Sequence, residues 1–304
     1  MAFSHDVKDE LVRVENRKPC CAEAEVLAAL VVAAHVTPDG ILFNTSHPGY
    51  AERLAHQLER LSGTTPVVRR DSGHIRVAAE DPAGCLRILD VLSRYGFDPR
   101  SHATDPGVFS AVCCRRAALR GAFLAGGSVG EPDRGYHLEI VSRHEAAIRL
   151  VDRLMRMEGI RPRQGFRAPF HIAYLKDGGR ISDFLRATGA HGALLDFENL
   201  RVEKDVRNTV NRVVNCDTAN STRVAAASAR QLELLRALEE AGTLGSLPQD
   251  LREAAQVRLM YPGLSIRDLG ERLSPPLGKS GMSHRLRRLE RMAEELAESP
   301  GKQA

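Results

Sequence analysis

CCAEAEVLAALVVAAHV (20–36) and CCRRAALRGAFLAGGSV (113–129) read as two copies of one helix, and that pairing decides how the rest of the chain is organised. With Cys20 laid on Cys113, the pairs Cys21/Cys114, Ala24/Ala117, Ala29/Ala122 and Val36/Val129 are identical. Small residues gather on one side of each copy: Ala28, Ala29, Ala33 and Ala34 in the first, Gly121, Ala122, Ala125, Gly126 and Gly127 in the second. The distance between packed helix axes depends on the side chains at the contact. Two readings follow: ordinary Ala-rich buried helices, or two helices packed on each other at a pseudo-twofold axis.

The match continues outward. Ala51, Leu54, Leu58, Leu61 and Gly63 fall on Ala147, Leu150, Leu154, Met157 and Gly159. That spacing is one face of an amphipathic helix, stopped by glycine at its C-cap. A strand follows the first helix of each copy, at 41–45 and 136–141. Extended segments bounded by turn residues come next, at 66–70 and 74–79, then at 161–166 and 170–175. A last helix closes each copy, 82–95 and 179–188. After an N-terminal segment (1–19), the repeats 20–96 and 113–190 therefore form one α/β body over 20–191.

The 304 residues suffice for about two domains, with 43% hydrophobic residues to build cores. A net charge of +4 hints only weakly at an anionic partner, so the location of the charge matters more. Tryptophan is absent and aromatics are scarce, which argues against large stacking platforms. The longest apolar run, 26–34, falls short of the ~20 residues that span a bilayer, and no basic-then-apolar leader opens the chain. A soluble, cytoplasmic protein is expected. Cysteines stand at 20, 21, 85, 113, 114 and 216 without a CxxC. A vicinal pair cannot complete a tetrahedral zinc site without two further ligands. All six are read as reduced, buried thiols, and neither metal nor cofactor is expected.

Beyond about Gly192 the pattern becomes helical. A helical linker, 192–225, carries Arg201, Lys204, Arg207, Asn208, Asn211 and Arg212. Such side chains serve equally in a solvated connector or on DNA phosphates and bases, and Arg207, Asn208, Asn211 and Arg212 are the candidates for contact. An all-α domain, 226–298, follows. Its helices 226–241 and 249–261 show apolar stripes, Leu232, Leu235, Leu238 and Leu251, Ala255, Leu259. Ser265, with Asp268 three residues on, caps a short helix whose core face is Ile266, Leu269 and Leu273. Ser274-Pro275-Pro276-Leu277-Gly278 forms a turn.

The final helix repeats Met282, Leu286, Leu289, Ala293 and Leu296 on one side, and Ser280, His284, Arg287 and Arg291 on the other. A short helix, a tight turn and an apolar-backed basic helix make the helix-turn-helix layout. Lys279, Arg285, Arg287, Arg288 and Arg291 stand against one acid, Glu290, before Glu294, Glu295 and Glu298 reverse the charge. The N-terminal residues of such a helix reach base edges. Ser280, Ser283 and His284 are expected there, with Lys279, Arg285, Arg287, Arg288 and Arg291 on phosphates or guanine. Met282 belongs to the core, and His284 could instead be a plain surface histidine.

LRGAFLAGGSV (119–129) resembles the motif of LAGLIDADG homing endonucleases. In those proteins two such helices pack together, and each ends in an acid that holds a divalent metal for DNA cleavage. The matching positions here are Gly126 and Ala33, neither of which offers an oxygen ligand. Asp39 and Glu131, nearby, read as solvated loop residues. More closely, RGAFLAGGSV (120–129), YHLEI (136–140), DVRNTVNRVVNCDTAN (205–220) and GKSGMSHRLRRLE (278–290) together resemble the WhiA family of bacterial sporulation and cell-division regulators.

The resemblance spans nearly the whole chain and implies an α+β fold class: a degenerate, pseudo-twofold LAGLIDADG-like α/β body followed by an all-α helix-turn-helix domain. The function it implies is sequence-specific transcription regulation of division genes, and of sporulation where the host sporulates, without enzymatic activity. The expected partner is promoter DNA, with RNA polymerase or a sigma factor as a further candidate, in a cytoplasmic, nucleoid-associated setting. A metal-dependent DNA endonuclease and a scaffold for the transcription machinery stand as alternatives.

Overall fold

Helix α2 (Pro19–Ala33) and helix α5 (Val112–Gly126) form the axis of the first unit in the computed structural model, which describes residues 2–37 and 40–298. Their close approach is set at Gly121. A Cβ there would stand 2.1 Å from the Glu25 carbonyl oxygen, so only hydrogen fits between the two backbones. Of the two readings of the small-residue faces, direct helix-on-helix packing is the one realised.

Each copy then adds a four-stranded antiparallel sheet. In the first, β1 (His35–Thr37), β2 (Gly40–Thr45), β3 (Val67–Asp71) and β4 (His74–Ala79) lie in the order β1-β2-β4-β3. In the second, β5 (Gly127–Val129), β6 (Leu138–Ser142), β7 (Arg163–Arg167) and β8 (Phe170–Leu175) lie in the order β5-β6-β8-β7. The registers correspond, with Phe43 opposite Val77 and Ile140 opposite Ala173. Helices α3 (Pro48–Ser62) and α6 (Glu145–Met157) follow the second strand of each sheet, and α4 (Pro82–Ser93) and α7 (Gly178–Thr188) the fourth. The short strands β1 and β5, three residues each, lie just after the paired helices and are too brief to show an alternating pattern.

The core of this unit reaches past both ends of the repeat region. Helix α1 (Ala2–Leu11) buries Phe3, Val7 and Leu11, every fourth residue of its sequence. Helix α8 (His191–Glu240) buries Ala193 and Phe197 in the same core, and Phe197 packs 6.0 Å from the ring of Phe3. Glu131, read from sequence as a solvated loop residue, instead accepts the Phe3 N–H at 3.1 Å, which ties down the start of α1. Asp39 lies outside the described residues.

The chain divides between Val206 and Arg207. The helical linker 192–225 and the helix read at 226–241 are one 50-residue helix, because neither glycine nor proline interrupts the chain between 193 and 240. In the second unit, the latter part of α8 packs with α9 (Gln249–Met260), α10 (Ile266–Glu271) and α11 (Lys279–Glu298) around Leu235, Leu238, Leu251, Leu269, Met282 and Leu286. The buried face of α9 is Leu251, Ala254, Ala255 and Arg258, whereas Leu259 is only half-buried, as is Leu232 of α8. An arginine in that stripe escapes an apolar pattern. Arg258 extends its stem through the core and donates to the Leu264 carbonyl at 2.8 Å.

Candidate nucleic-acid interface

Ser265 starts α10 by accepting the Asp268 N–H at 3.3 Å, and its hydroxyl bonds the Asp268 carboxylate at 2.8 Å. This supplies one of the orphan donors of the helix start. The turn that follows closes on Gly270. The Leu277 N–H donates to its carbonyl at 2.8 Å, and a Cβ at Gly270 would lie 2.1 Å from the Leu277 carbonyl oxygen. Gly270 is thus required where α10 meets the turn, a role its place inside a short helix hides in the sequence. Leu269 and Leu273 are buried beneath this turn, with Ile266 half-buried.

Helix α11 seats on this platform through Met282, Leu286, Leu289 and Ala293, each under 5% exposed. The side chains of Leu296 and Glu298 lie outside the described residues. On the opposite face Lys279, Ser280, His284, Arg287, Arg288 and Arg291 are exposed and Ser283 is half-buried. Lys279, Arg287, Arg288 and Arg291 have no ion pair or hydrogen bond among the described residues. Arg285 differs: its guanidinium donates to the Asp250 carbonyl at 3.2 Å and lies 3.9 Å from that residue's carboxylate.

Two acids of α11 bond to its own scaffold. Glu290 accepts from Gln231 at 2.9 Å, and Glu294 pairs with Arg230 at 2.6 Å. The charge reversal along α11 therefore has a physical basis. Glu290 and Glu294 hold the helix to α8, whereas Lys279, Arg287, Arg288 and Arg291 stay exposed. Arg207, Asn208, Asn211 and Arg212 are all exposed on α8, as are Val202, Val206, Val210 and Val213.

Some of the exposed arginines of the body are paired. On its outer strands Arg69 pairs with Glu80 at 3.4 Å, Arg70 with Glu52 at 3.5 Å and Arg167 with Glu139 at 3.2 Å. At the C-terminal ends of α2 and α5 a cleft of about 440 Å³ is lined by Ala33, His35, Asn44, Gly126, Ser142 and His144, among others, and by no carboxylate among the described residues. His144 stacks on His102 at 3.6 Å, and burial pushes both imidazoles below their ordinary value, so they are uncharged at neutral pH. A hard divalent cation finds no carboxylate ligand there among the described residues. Gly126 also has no room for one: a Cβ would stand 2.5 Å from the Val141 carbonyl oxygen and 2.8 Å from Val32 Cγ1.

Comparison with known proteins agrees with this division. Residues 115–207 match the model of the WhiA LAGLIDADG-like domain, and residues 210–293 that of the WhiA C-terminal HTH domain. A protein of Heliobacterium modesticaldum named probable cell division protein WhiA is 37% identical, with 99% of this chain and 98% of that one covered. One of the same name from Desulforudis audaxviator is 39% identical, covering 98% and 99%. The crystal structure of full-length DUF199/WhiA from Thermatoga maritima superimposes with a TM-score of 0.59 at 28% identity, over 96% of this chain and 98% of that one. Among the described residues no helix is long and apolar enough to cross a membrane. A duplicated LAGLIDADG-like body, a helix-turn-helix with an open basic face and full-length kinship at this level place the chain in the WhiA family.

Proposed function

We propose that this chain is a sequence-specific transcription regulator of cell-division genes whose α11 enters the major groove of promoter DNA. The observation that carries the reading is the exposed set Lys279, Arg287, Arg288 and Arg291, unpaired among the described residues and backed by buried Met282, Leu286 and Leu289. The N-terminal turn of α11 presents Ser280, Ser283 and His284 to base edges, and the four cations neutralise phosphates or read guanine. Arg207, Asn208, Asn211 and Arg212 add backbone contacts from the linker. The name shared by the relatives points to cell division as the process. Sporulation joins it in hosts that sporulate, and the setting is the nucleoid.

The body, in this reading, is no nuclease. It keeps the paired helices and has Gly126 and Ala33 at the acids' positions, and the cleft there carries no carboxylate among the described residues. Incubation of plasmid with protein and magnesium tests this directly, since sequence-specific cutting would overturn it. The DNA assignment is tested by fluorescence anisotropy on promoter fragments with Arg287→Ala/Arg288→Ala as the contrast. Affinity should fall steeply in the double variant, and retained affinity with an unchanged salt dependence would remove α11 from the mechanism.

The exposed valines Val210, Val213, Val214 and Val224 of the second unit favour a second role alongside the first, a docking face for RNA polymerase or a sigma factor. Val210→Glu/Val214→Glu should abolish co-purification of the polymerase and leave promoter binding intact. Equal recovery by both proteins would refute it.

A further inference from the structure

The vicinal cysteines look inert one pair at a time. Cys20 and Cys21 occupy the first turn of α2, Cys113 and Cys114 the first turn of α5, and the pseudo-twofold packing brings the two turns together. The four Sγ atoms all lie within 4.8 Å of one another. The two additional ligands that a vicinal pair lacks in sequence are supplied by the other repeat. Cys21 and Cys114 are buried, whereas Cys20 and Cys113 are partly exposed and leave a path from solvent. The other two cysteines stand elsewhere: Cys85 donates to the Ala79 carbonyl at 3.0 Å, and Cys216 is exposed on α8.

We propose that Cys20, Cys21, Cys113 and Cys114 form a tetrathiolate site for a single zinc ion, which staples the N-terminal ends of the two symmetry-related helices. A Zn–S bond of about 2.3 Å puts the sulfurs of a tetrahedral site about 3.8 Å apart, so closure needs less movement than one bond length. The thiolate set selects a soft ion over magnesium or calcium. Mutual proximity of all four sulfurs is the requirement of one central ion. Two disulfides would need closeness only within each pair. An iron–sulfur cluster would hold its cysteines farther apart, around several core atoms. Loading releases the thiol protons to solvent and leaves the site with two net negative charges. The N-terminal ends of α2 and α5 and the adjacent Lys18 offset them. At the opposite ends of the same helices the LAGLIDADG acids are gone, so the proposed ion sits at the far end of the pair from the lost catalytic one.

The test is metal content of the full chain, purified without chelator and dialysed against buffer, measured by plasma mass spectrometry. About one zinc per chain is expected. Cys20→Ser/Cys113→Ser, which alters only the partly exposed pair, should lose it, and Cys85→Ser and Cys216→Ser should keep it. Because the double variant could fail to fold, a second measurement uses the unaltered chain. Metal-free protein titrated with cobalt(II) should develop the intense visible bands and thiolate charge transfer of a tetrahedral S4 complex, bleached by equimolar zinc. Absence of zinc after incubation with zinc chloride, a colourless cobalt titration, iron in place of zinc, or zinc retained in Cys20→Ser/Cys113→Ser would each overturn the proposal.

Discussion

Glu25 of α2 and Arg120 of α5 meet in the interior of the body, Nε to Oε2 at 2.8 Å, and join the two repeats by charge where Gly121 joins them by contact. Arg53 reaches the same carboxylate at 2.6 Å, and Gln57 and Asn16 donate to it at 2.8 and 2.9 Å. Arg120 itself also donates to the Thr188 carbonyl at 3.1 Å and to Asn16 Oδ1 at 2.6 Å. Both Glu25 oxygens and every guanidinium nitrogen of Arg53 and Arg120 thus have partners, which is the condition for a buried charge to be tolerated.

Glu25→Gln should cost the body about 3–5 kcal/mol, because it leaves Arg53 and Arg120 buried without their counter-charge. Burial alone would raise the Glu25 carboxyl, but the Arg53 hydrogen bond and the charges of Arg120 and Arg53 outweigh it and hold the carboxyl below its ordinary range. Its folded value is therefore depressed. The stability it contributes is complete above the unfolded value, about pH 4.3, and is lost as pH falls towards the folded one. Urea midpoints measured from pH 7 downward should fall more steeply in wild type than in Glu25→Gln at acid pH. Parallel curves would refute the assignment.

Gly121→Ala should destabilise by about 1–3 kcal/mol or more, since the new methyl meets a backbone oxygen that only a helix shift can clear. Gly245→Ala, with nothing within 4 Å of the added carbon, is the control. Thermal melting distinguishes them: only the first should lower Tm, and an unchanged Tm for Gly121→Ala would contradict the described helix contact.

Restoring an acid by Gly126→Asp should not restore a nuclease. The substitution must displace the Val141 backbone and Val32 before any carboxylate enters the cleft, so a lower Tm without magnesium-dependent nicking is expected. Cleavage by this single variant would mean that the site retains more of a metal centre than its lining shows.

Arg285 and Arg288 should behave differently although both are basic residues of α11. Arg288→Ala should reduce the slope of log K against log salt by about 0.9 with Tm unchanged, as expected for one lost phosphate contact. Arg285→Ala should instead lower Tm, by the equivalent of about 0.5–1.5 kcal/mol, because its hydrogen bond to Asp250 fastens α11 to α9. A salt slope that falls equally in both variants would show Arg285 turning outward on DNA.

What the sequence determined by itself is whatever repeats at short range. The duplicated helix, the amphipathic faces of α3 and α6, the Ser265 cap and the two-sided α11 each follow from spacing along one element, because a helix or strand presents residues at a fixed period. The small-residue faces were legible too, but left open whether the two helices would meet. Only the tertiary structure decided what lies between elements. It packed α1 and the start of α8 into the body, sank Arg258 into a stripe that reads as apolar, and turned Arg285 inward while Arg288 stayed out. It surrounded Glu25 with Asn16, Arg53, Gln57 and Arg120, and it gathered the sulfurs of two repeats around one point. Many of these contacts join residues far apart in the chain, as Arg120 does with Glu25 and Phe197 with Phe3. Periodicity encodes which face of an element turns inward, and three-dimensional packing selects which atoms it finds there.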